Sequence, residues 1–262
     1  MTPVGPARAA RAGARRLAAG LALVACCVAV GCTPSQFQAW WVSQGNAPLR
    51  EPQLSEAAAA ATRYWDELAR RDRFRFGIAP IDARLAARMS PSSWRPGCPV
   101  PLSSLRYLHV SYMGMDGSER TGELVVHRDV ANVVVMAFKV MWDDGFRIDR
   151  MRLVDDFGGD DDASMAANNT SAFNCRRVAG TSTWSQHSYG RAIDINPVQN
   201  PYVSGTTVSP PSGAAYRNRS DVRPGMVVRN GPAHSAFARI GWGWGGEWSS
   251  SKDYQHFSAN GR

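Results

Sequence analysis

The 262-residue chain is poor in cysteine, with five, and three of these, Cys26, Cys27 and Cys32, fall within the first 32 residues. The other two, Cys98 and Cys175, have no Cys or His neighbour at ligand spacing, which argues against a cysteine-built zinc site. No apolar run is long enough for a comfortable transmembrane helix, since the longest, Leu17 to Val30, falls a few residues short. No internal repeat is visible. No dense Lys/Arg stripe carries interleaved aromatics, which argues against nucleic-acid binding. Histidine is scarce too, with five in the chain, so any metal site must draw on very few residues.

What is present begins with an export layout. Arg8, Arg11, Arg15 and Arg16 form a positive segment without acids, followed by the apolar run and then small residues and cysteines. Arg15-Arg16 also fits a twin-arginine signal. Cys32 after Ala29-Val30-Gly31 resembles a lipoprotein box, as does Cys26 after Leu23-Val24-Ala25. We read residues 1–32 as a signal with lipidation at Cys32, with Cys26 and simple cleavage as the alternatives. Its removal lowers the formal charge from +8 to +4, which suits a surface facing anionic cell-wall polymers. In an exported domain two cysteines tend to pair, so a Cys98–Cys175 disulfide is expected, with two buried thiols as the competing reading.

The hydrophobic share of 44% and the nine Trp are ample for a packed core. Residues 33–95 read as a tether and a helical segment, with a helix expected from Ser55 to Arg73. The main domain is expected from about Arg95, over residues 96–262. There Leu105 to Met113 alternates as a strand with Leu108, Val110 and Tyr112 on one face. A turn at Met115 to Ser118 leads to a returning strand over Thr121 to His127. Asp129 is expected to cap a helix running to about Trp142, and Ile148 to Val154 to form the next strand. This order implies an α+β fold with a largely antiparallel sheet and flanking helices. The run Asp160-Asp161-Asp162 reads as a solvated helix-capping turn rather than a calcium site. The stretch from Pro197 to Arg223, rich in Ser, Pro and Gly, says little by itself.

The chemistry concentrates in two segments. In Ser185-Gln186-His187-Ser188-Tyr189-Gly190-Arg191-Ala192-Ile193-Asp194, a His and an Asp stand seven apart. On a continuous strand they would face opposite sides. They converge only if the chain turns between them, and Gly190 permits the turn. Ile193 and Ile195 flank Asp194 in strand-like alternation, so Asp194 is expected on a buried strand. A carboxylate pointing into a core needs a strong partner, and a metal ion would be one. The second segment is Lys252-Asp253-Tyr254-Gln255-His256-Phe257. His256 completes a set of two His and one carboxylate, which leaves a position for water and is the catalytic type of zinc site. Asp253, three residues earlier, reaches the same side if the segment turns, and there it can take a proton from that water.

Ser185-x-His187-x-x-Gly190-x-Ala192-x-Asp194 followed by Asp253-x-x-His256 resembles the signature of peptidase family M15. That group contains D-Ala-D-Ala carboxypeptidases, dipeptidases and L-alanyl-D-glutamate endopeptidases. The resemblance implies one Zn2+ held by His187, Asp194 and His256, with Asp253 as general base. It also implies an arginine that polarises the scissile carbonyl, a role placed on Arg176 with Arg177 as fallback and a structural ion pair as the competing reading. An Asp base rather than Glu resembles the endopeptidase-like branch. The implied reaction is zinc-assisted hydrolysis of peptidoglycan stem peptides, by a monomer that binds no nucleic acid.

Around this set, Ser185, Tyr189 and Trp248 are candidate substrate residues, although Ser185 reads better as a support for the ligands. The loop Gly241-Trp242-Gly243-Trp244-Gly245-Gly246-Glu247-Trp248 reads either as a cleft wall or as a bent strand with core tryptophans, Trp248 being the better cleft candidate. His109 and His127 read as structural, and His234 as part of a helix or its cap. The rival reading is a non-catalytic zinc-fold module that binds cell wall or a protein partner. Asp253 discriminates between the two, because a module without activity needs no acid there.

Overall fold

The computed structural model describes residues 73–262, together with the single positions Val42, Arg50 and Pro52. The expected signal, the cysteines at 26 and 32, the tether and the expected helix from Ser55 otherwise lie outside the described residues. Among the described residues, no helix is long and apolar enough to cross a membrane.

The packed unit begins at Arg73, not near Arg95. The reason is a strand, β1 (Phe76–Pro80), that pairs antiparallel with β2 (Leu105–Met113) from Phe76↔Val110 to Pro80↔Arg106. A short helix follows, α1 (Ala83–Met89), capped by the Asp82 carboxylate and ending on the fully buried Met89. β2 spans the expected residues, and Leu108, Val110 and Tyr112 are all buried. β3 (Glu119–His127) returns antiparallel along its whole length. Between them Asp116 accepts from the Ser118 N–H at 3.0 Å, and Gly117 takes a positive φ of 84°. This is the side-chain turn chemistry that such residues provide.

α2 (Ala131–Asp143) follows, and its N-cap is Val130, which makes no side-chain capping bond. Asp129 is therefore not the expected cap. Its carboxylate is engaged by Arg191 at 3.0 Å and lies 3.3 Å from His127 Nδ1. α2 buries Val134, Ala137, Phe138 and Met141 against β2 and against α4 (Pro232–Arg239). Phe138 meets Phe237 edge-on at 6.4 Å.

The strand expected over Ile148 to Val154 shrinks to β4 (Arg150–Met151), and Val154 opens a 3-10 turn. β4 pairs parallel with β5 (Asn169–Thr170). The Asn169 side chain takes both backbone groups of Arg152, accepting from its N–H at 2.9 Å and donating to its carbonyl at 3.0 Å. A side-chain amide thus stands where a ladder partner would, and the strand ends. α3 (Asp161–Ala166) is capped by Asp160, as the acidic run suggested.

The C-terminal half adds two small antiparallel sheets. In one, β11 (His256–Ser258) lies between β6 (Ala192–Asp194) and β9 (Gly243–Trp244). In the other, the hairpin of β7 (Tyr202–Ser204) and β8 (Thr207–Ser209) pairs through β7 with β10 (Lys252–Asp253). The fold is thus α+β with small, mainly antiparallel sheets, as expected. A second core cluster, with Met89, Leu105, Val125, Leu153, Phe173 and Cys175, packs against Cys98 and Trp94. There Cys98 and Cys175 form the expected disulfide, with Cα atoms 5.9 Å apart.

Candidate metal centre

Each ligand candidate is delivered by a different local device. His187 sits on a 3-10 turn over Gln186–Tyr189, capped by the Ser185 hydroxyl, which accepts the His187 N–H at 3.3 Å. Gly190 ends that turn in the left-handed region at φ 65°. A Cβ there would lie 2.5 Å from the His127 nitrogen, so a side chain is excluded by contact as well as by conformation. The chain reverses at Gly190 and enters β6, whose three residues are all buried.

β11 lies antiparallel beside β6, with His256 directly opposite Asp194. Facing positions on neighbouring strands hold their Cβ atoms about 4.5–5.5 Å apart, so the pairing alone brings imidazole and carboxylate together. The next residue, Phe257, is fully buried and stacks on Phe237 at 4.4 Å. Burying a side chain of that size contributes about 1.5–3 kcal/mol, and it fixes the face on which His256 emerges.

The donor atoms converge. His187 Nε2 is 3.1 Å from Asp194 Oδ2, His256 Nδ1 is 3.0 Å from Asp194 Oδ1, and the two ring nitrogens are 3.2 Å apart. All three residues are buried. The opposite ring nitrogens face carbonyls: His187 Nδ1 meets Ala172 O at 2.6 Å, and His256 Nε2 meets Arg262 O at 3.2 Å. Those carbonyls can only accept, so each ring can carry a proton on its outer nitrogen and offer its inner nitrogen to a metal. The three donor atoms then surround one common point. An ion at about 2.0–2.1 Å in tetrahedral geometry separates its donors by about 3.3 Å, close to the spacing found. The donor set therefore fits zinc. Burial pushes the Asp194 carboxyl up, but the two imidazoles pull it further down, so its net direction is well below the ordinary carboxylate range.

Asp253 stands at the end of β10, opposite Tyr202 of the hairpin. Bends at Tyr254 and Gln255 connect it to β11, so the segment does turn. Its Oδ1 is screened from solvent and has no hydrogen-bond partner. Burial and the nearby Asp194 charge push its carboxyl up to about 6, against an opposing pull from His256. A shielded carboxylate with a raised pKa and a free oxygen, close enough to feel the Asp194 charge, marks a candidate functional group.

Arg176 is tied to the ligand turn through Ser188. Its N–H donates to Ser188 Oγ at 2.9 Å, and that hydroxyl donates to the Arg176 carbonyl at 2.6 Å. Its guanidinium pairs with Asp161 at 2.8 Å, and its shielded Nε has no partner. Arg177, the fallback, stacks over Trp184 at 3.5 Å and donates to the Ser182 carbonyl.

The Gly/Trp loop divides between its two readings. Trp242 and Trp244 are core residues, and Trp244 Nε1 donates to Tyr254 O at 2.8 Å. Trp248 instead lies 5.6 Å from the His256 ring and, with Ser249, Ser250 and Arg262, lines a cavity of about 420 Å³. Tyr189 is half-buried at the end of the His187 turn. His109, His127 and His234 lie outside the ligand cluster, and His234 is on α4 beside Glu247.

Sequence reasoning missed two contributors. Ser188 is an unspecified position of the His motif, yet it is fully buried and clamps Arg176. Asp161 lies inside an acidic run, where composition suggests only solvation. The two-residue strand β10 was also missed, because its pairing partner is the uninformative stretch some fifty residues earlier.

Residues 179–259 match a peptidase M15 family model described as D-alanyl-D-alanine carboxypeptidase. Neither the curated proteins nor the solved structures compared with the chain gave a match. The matched span contains His187, Asp194, Asp253 and His256, while Arg176 and Asp161 precede it. Over that span, 81 of the 262 residues, the chain is similar to the M15 peptidases, and the buried His-Asp-His cluster lies inside it.

Proposed function

We propose that this chain is an M15-type zinc-dependent hydrolase of peptidoglycan stem peptides, of the D-Ala-D-Ala carboxypeptidase or L-Ala-D-Glu endopeptidase type. The observation that carries the reading is the convergence of three inward-facing donors, His187 Nε2, Asp194 and His256 Nδ1, beside the unpartnered Asp253 oxygen. A zinc ion held there would supply Lewis acidity and bring the pKa of its water towards neutrality.

The remaining work falls to the chain. The carbonyls of Ala172 and Arg262 would accept the outer N–H of His187 and His256 and so orient the inner nitrogen of each ring towards the metal. Asp253 accepts a proton from the attacking water and passes it to the nitrogen of the leaving amine. Arg176 donates to the oxygen of the scissile carbonyl as negative charge develops on it. Ser185 holds the His187 turn, and Trp248 and Tyr189 flank the substrate. Such an enzyme works in the cell envelope, in line with the export layout of residues 1–32, and Cys32 would give a lipid tether to the membrane. The chain acts as a monomer whose partners are cell-wall peptides.

The test is digestion of purified muropeptides by the zinc-loaded chain and by Asp253→Ala, with zinc counted per chain in both. Support is one zinc in each and cleavage by the wild type alone. Equal cleavage by the two forms would remove Asp253 as base. Absence of cleavage of every muropeptide by a zinc-loaded wild type would remove the substrate class.

A further inference from the structure

Asp161 does not share the role of its neighbours in the acidic run. Asp160 caps α3, accepting from the Ala163 N–H at 3.0 Å. Asp161, one position on, turns inward and is only 24% exposed, with Oδ2 2.8 Å from Arg176 Nη2. Arg176 is hydrogen-bonded to Ser188, the residue after His187, and the Asn174 N–H donates to the His187 carbonyl at 3.3 Å, which puts the Asp161–Arg176 pair beside the turn that carries this ligand. The Arg176 backbone is fixed independently, by Ser188 on both its N–H and its carbonyl and by the disulfide at the preceding residue. The fold therefore does not need the ion pair to place this segment. What the ion pair adds is direction: a long side chain, with several rotatable bonds, is held at one fork. One donor of that fork, the shielded Nε–H, is left without an acceptor. A buried unpaired donor is costly, and a substrate carbonyl oxygen is the group that would satisfy it.

We infer that Asp161 is a positioning residue, whose carboxylate fixes the Arg176 guanidinium so that its unpartnered Nε–H is kept for the scissile carbonyl oxygen. This inference rests on the proposed function, in which Arg176 stabilises that oxygen. Removing a preorganised oxyanion donor costs about a hundredfold to a thousandfold in kcat. Loosening it through its anchor costs less, about tenfold to a hundredfold.

The experiment compares zinc-loaded full chains of wild type, Asp161→Ala, Asp161→Asn, Asp161→Glu, Arg176→Ala and the Asp161→Ala/Arg176→Ala double variant. The expected result is a tenfold to hundredfold fall in kcat for Asp161→Ala, with KM changed by less than threefold and zinc content unchanged. The double variant is expected to be no slower than Arg176→Ala alone, and Asp161→Glu to recover part of the loss. Losses that multiply in the double variant, or full activity in Asp161→Ala, would overturn the inference. Asp161→Asn, which keeps size and hydrogen bonding, serves if Asp161→Ala does not fold. A second readout needs no substrate: the Arg176 Nε–H resonance in arginine-labelled, zinc-loaded protein. It should be distinct in wild type and merge with the solvent-exposed arginines in Asp161→Ala. If the wild type cuts no muropeptide but this resonance still depends on Asp161, the substrate assignment fails and the positioning stands. An unchanged resonance in Asp161→Ala removes the positioning role whatever the activity.

Discussion

At the scale of single residues, Asp253 separates chemistry from metal binding. It lies outside the ligand cluster, so Asp253→Asn should keep one zinc per chain while kcat falls by about a hundredfold to ten-thousandfold, the range for a lost general acid–base group. Its carboxyl, pushed up to about 6 in the metal-free protein, also sets a pH dependence. The base works deprotonated, so kcat/KM rises with pH through its pKa. A bound cation favours the carboxylate and moves that limb below pH 6. The limb should disappear in Asp253→Asn when kcat/KM is followed across pH. Stability runs the other way. A carboxyl raised on folding favours the folded state below its unfolded pKa, near 4, and loses that contribution as pH rises through about 6. The metal-free protein should therefore have a higher Tm at pH 7 as Asp253→Asn than as wild type, which thermal unfolding in chelator would show. An unchanged or lower Tm would mean that burial of this carboxylate carries no strain.

At the scale of elements, the site depends on one reversal and one brace. The reversal is Gly190, and Gly190→Ala meets both a left-handed backbone and the His127 nitrogen 2.5 Å from the new Cβ. A loss of about 1–3 kcal/mol is expected from such strain, together with weaker zinc binding, because the turn that carries His187 must shift. Denaturant unfolding and a zinc titration read the two effects. The brace is the hairpin of β7 and β8, which pairs with β10 and so holds the strand carrying Asp253. Arg219 secures it by donating to the carbonyls of Gln199 and Val227 and to Asn200 Oδ1, while its guanidinium lies 4.4 Å from the Tyr254 ring centroid. Burial pulls Arg219 down to about 10. Arg219→Met should lower Tm and reduce kcat through a misplaced Asp253, and unaltered kinetics would show that the hairpin does not position the base.

These two devices differ in how far they could be read from the sequence. Gly190 between His187 and Asp194 announces a turn, because side chains seven apart on a strand diverge. β2, the Met115 to Ser118 turn and the buried face of α2 were equally legible, since each follows from short-range alternation or helical spacing. The hairpin brace was not. Its partner strand has two residues, and the pairing spans about fifty positions, which no local pattern encodes. The same applies to β1: Phe76–Pro80 becomes a strand because β2 is available to pair with it, so the unit starts at Arg73 rather than near Arg95. Asp129 failed as a cap for a related reason, since Arg191 from the ligand motif competes for its carboxylate.

At the scale of the whole unit, two core clusters support the site from different sides. The larger one anchors β11 through Phe257. The smaller one surrounds the Cys98–Cys175 bridge, which spans 77 positions and ends next to Arg176. Replacing both cysteines by serine should cost about 2–5 kcal/mol and lower kcat more than zinc affinity, because the segment it releases carries Arg176 and not a ligand. Zinc itself should raise Tm with its free concentration, as any ligand specific to the folded state does. All of this depends on the metal being held by His187, Asp194 and His256, and anomalous scattering at the zinc edge from crystals of the zinc-loaded protein tests that directly. The account predicts one peak, within about 2.0–2.2 Å of His187 Nε2, an Asp194 carboxylate oxygen and His256 Nδ1. No peak at this cluster, or a peak bound through other residues, would contradict it.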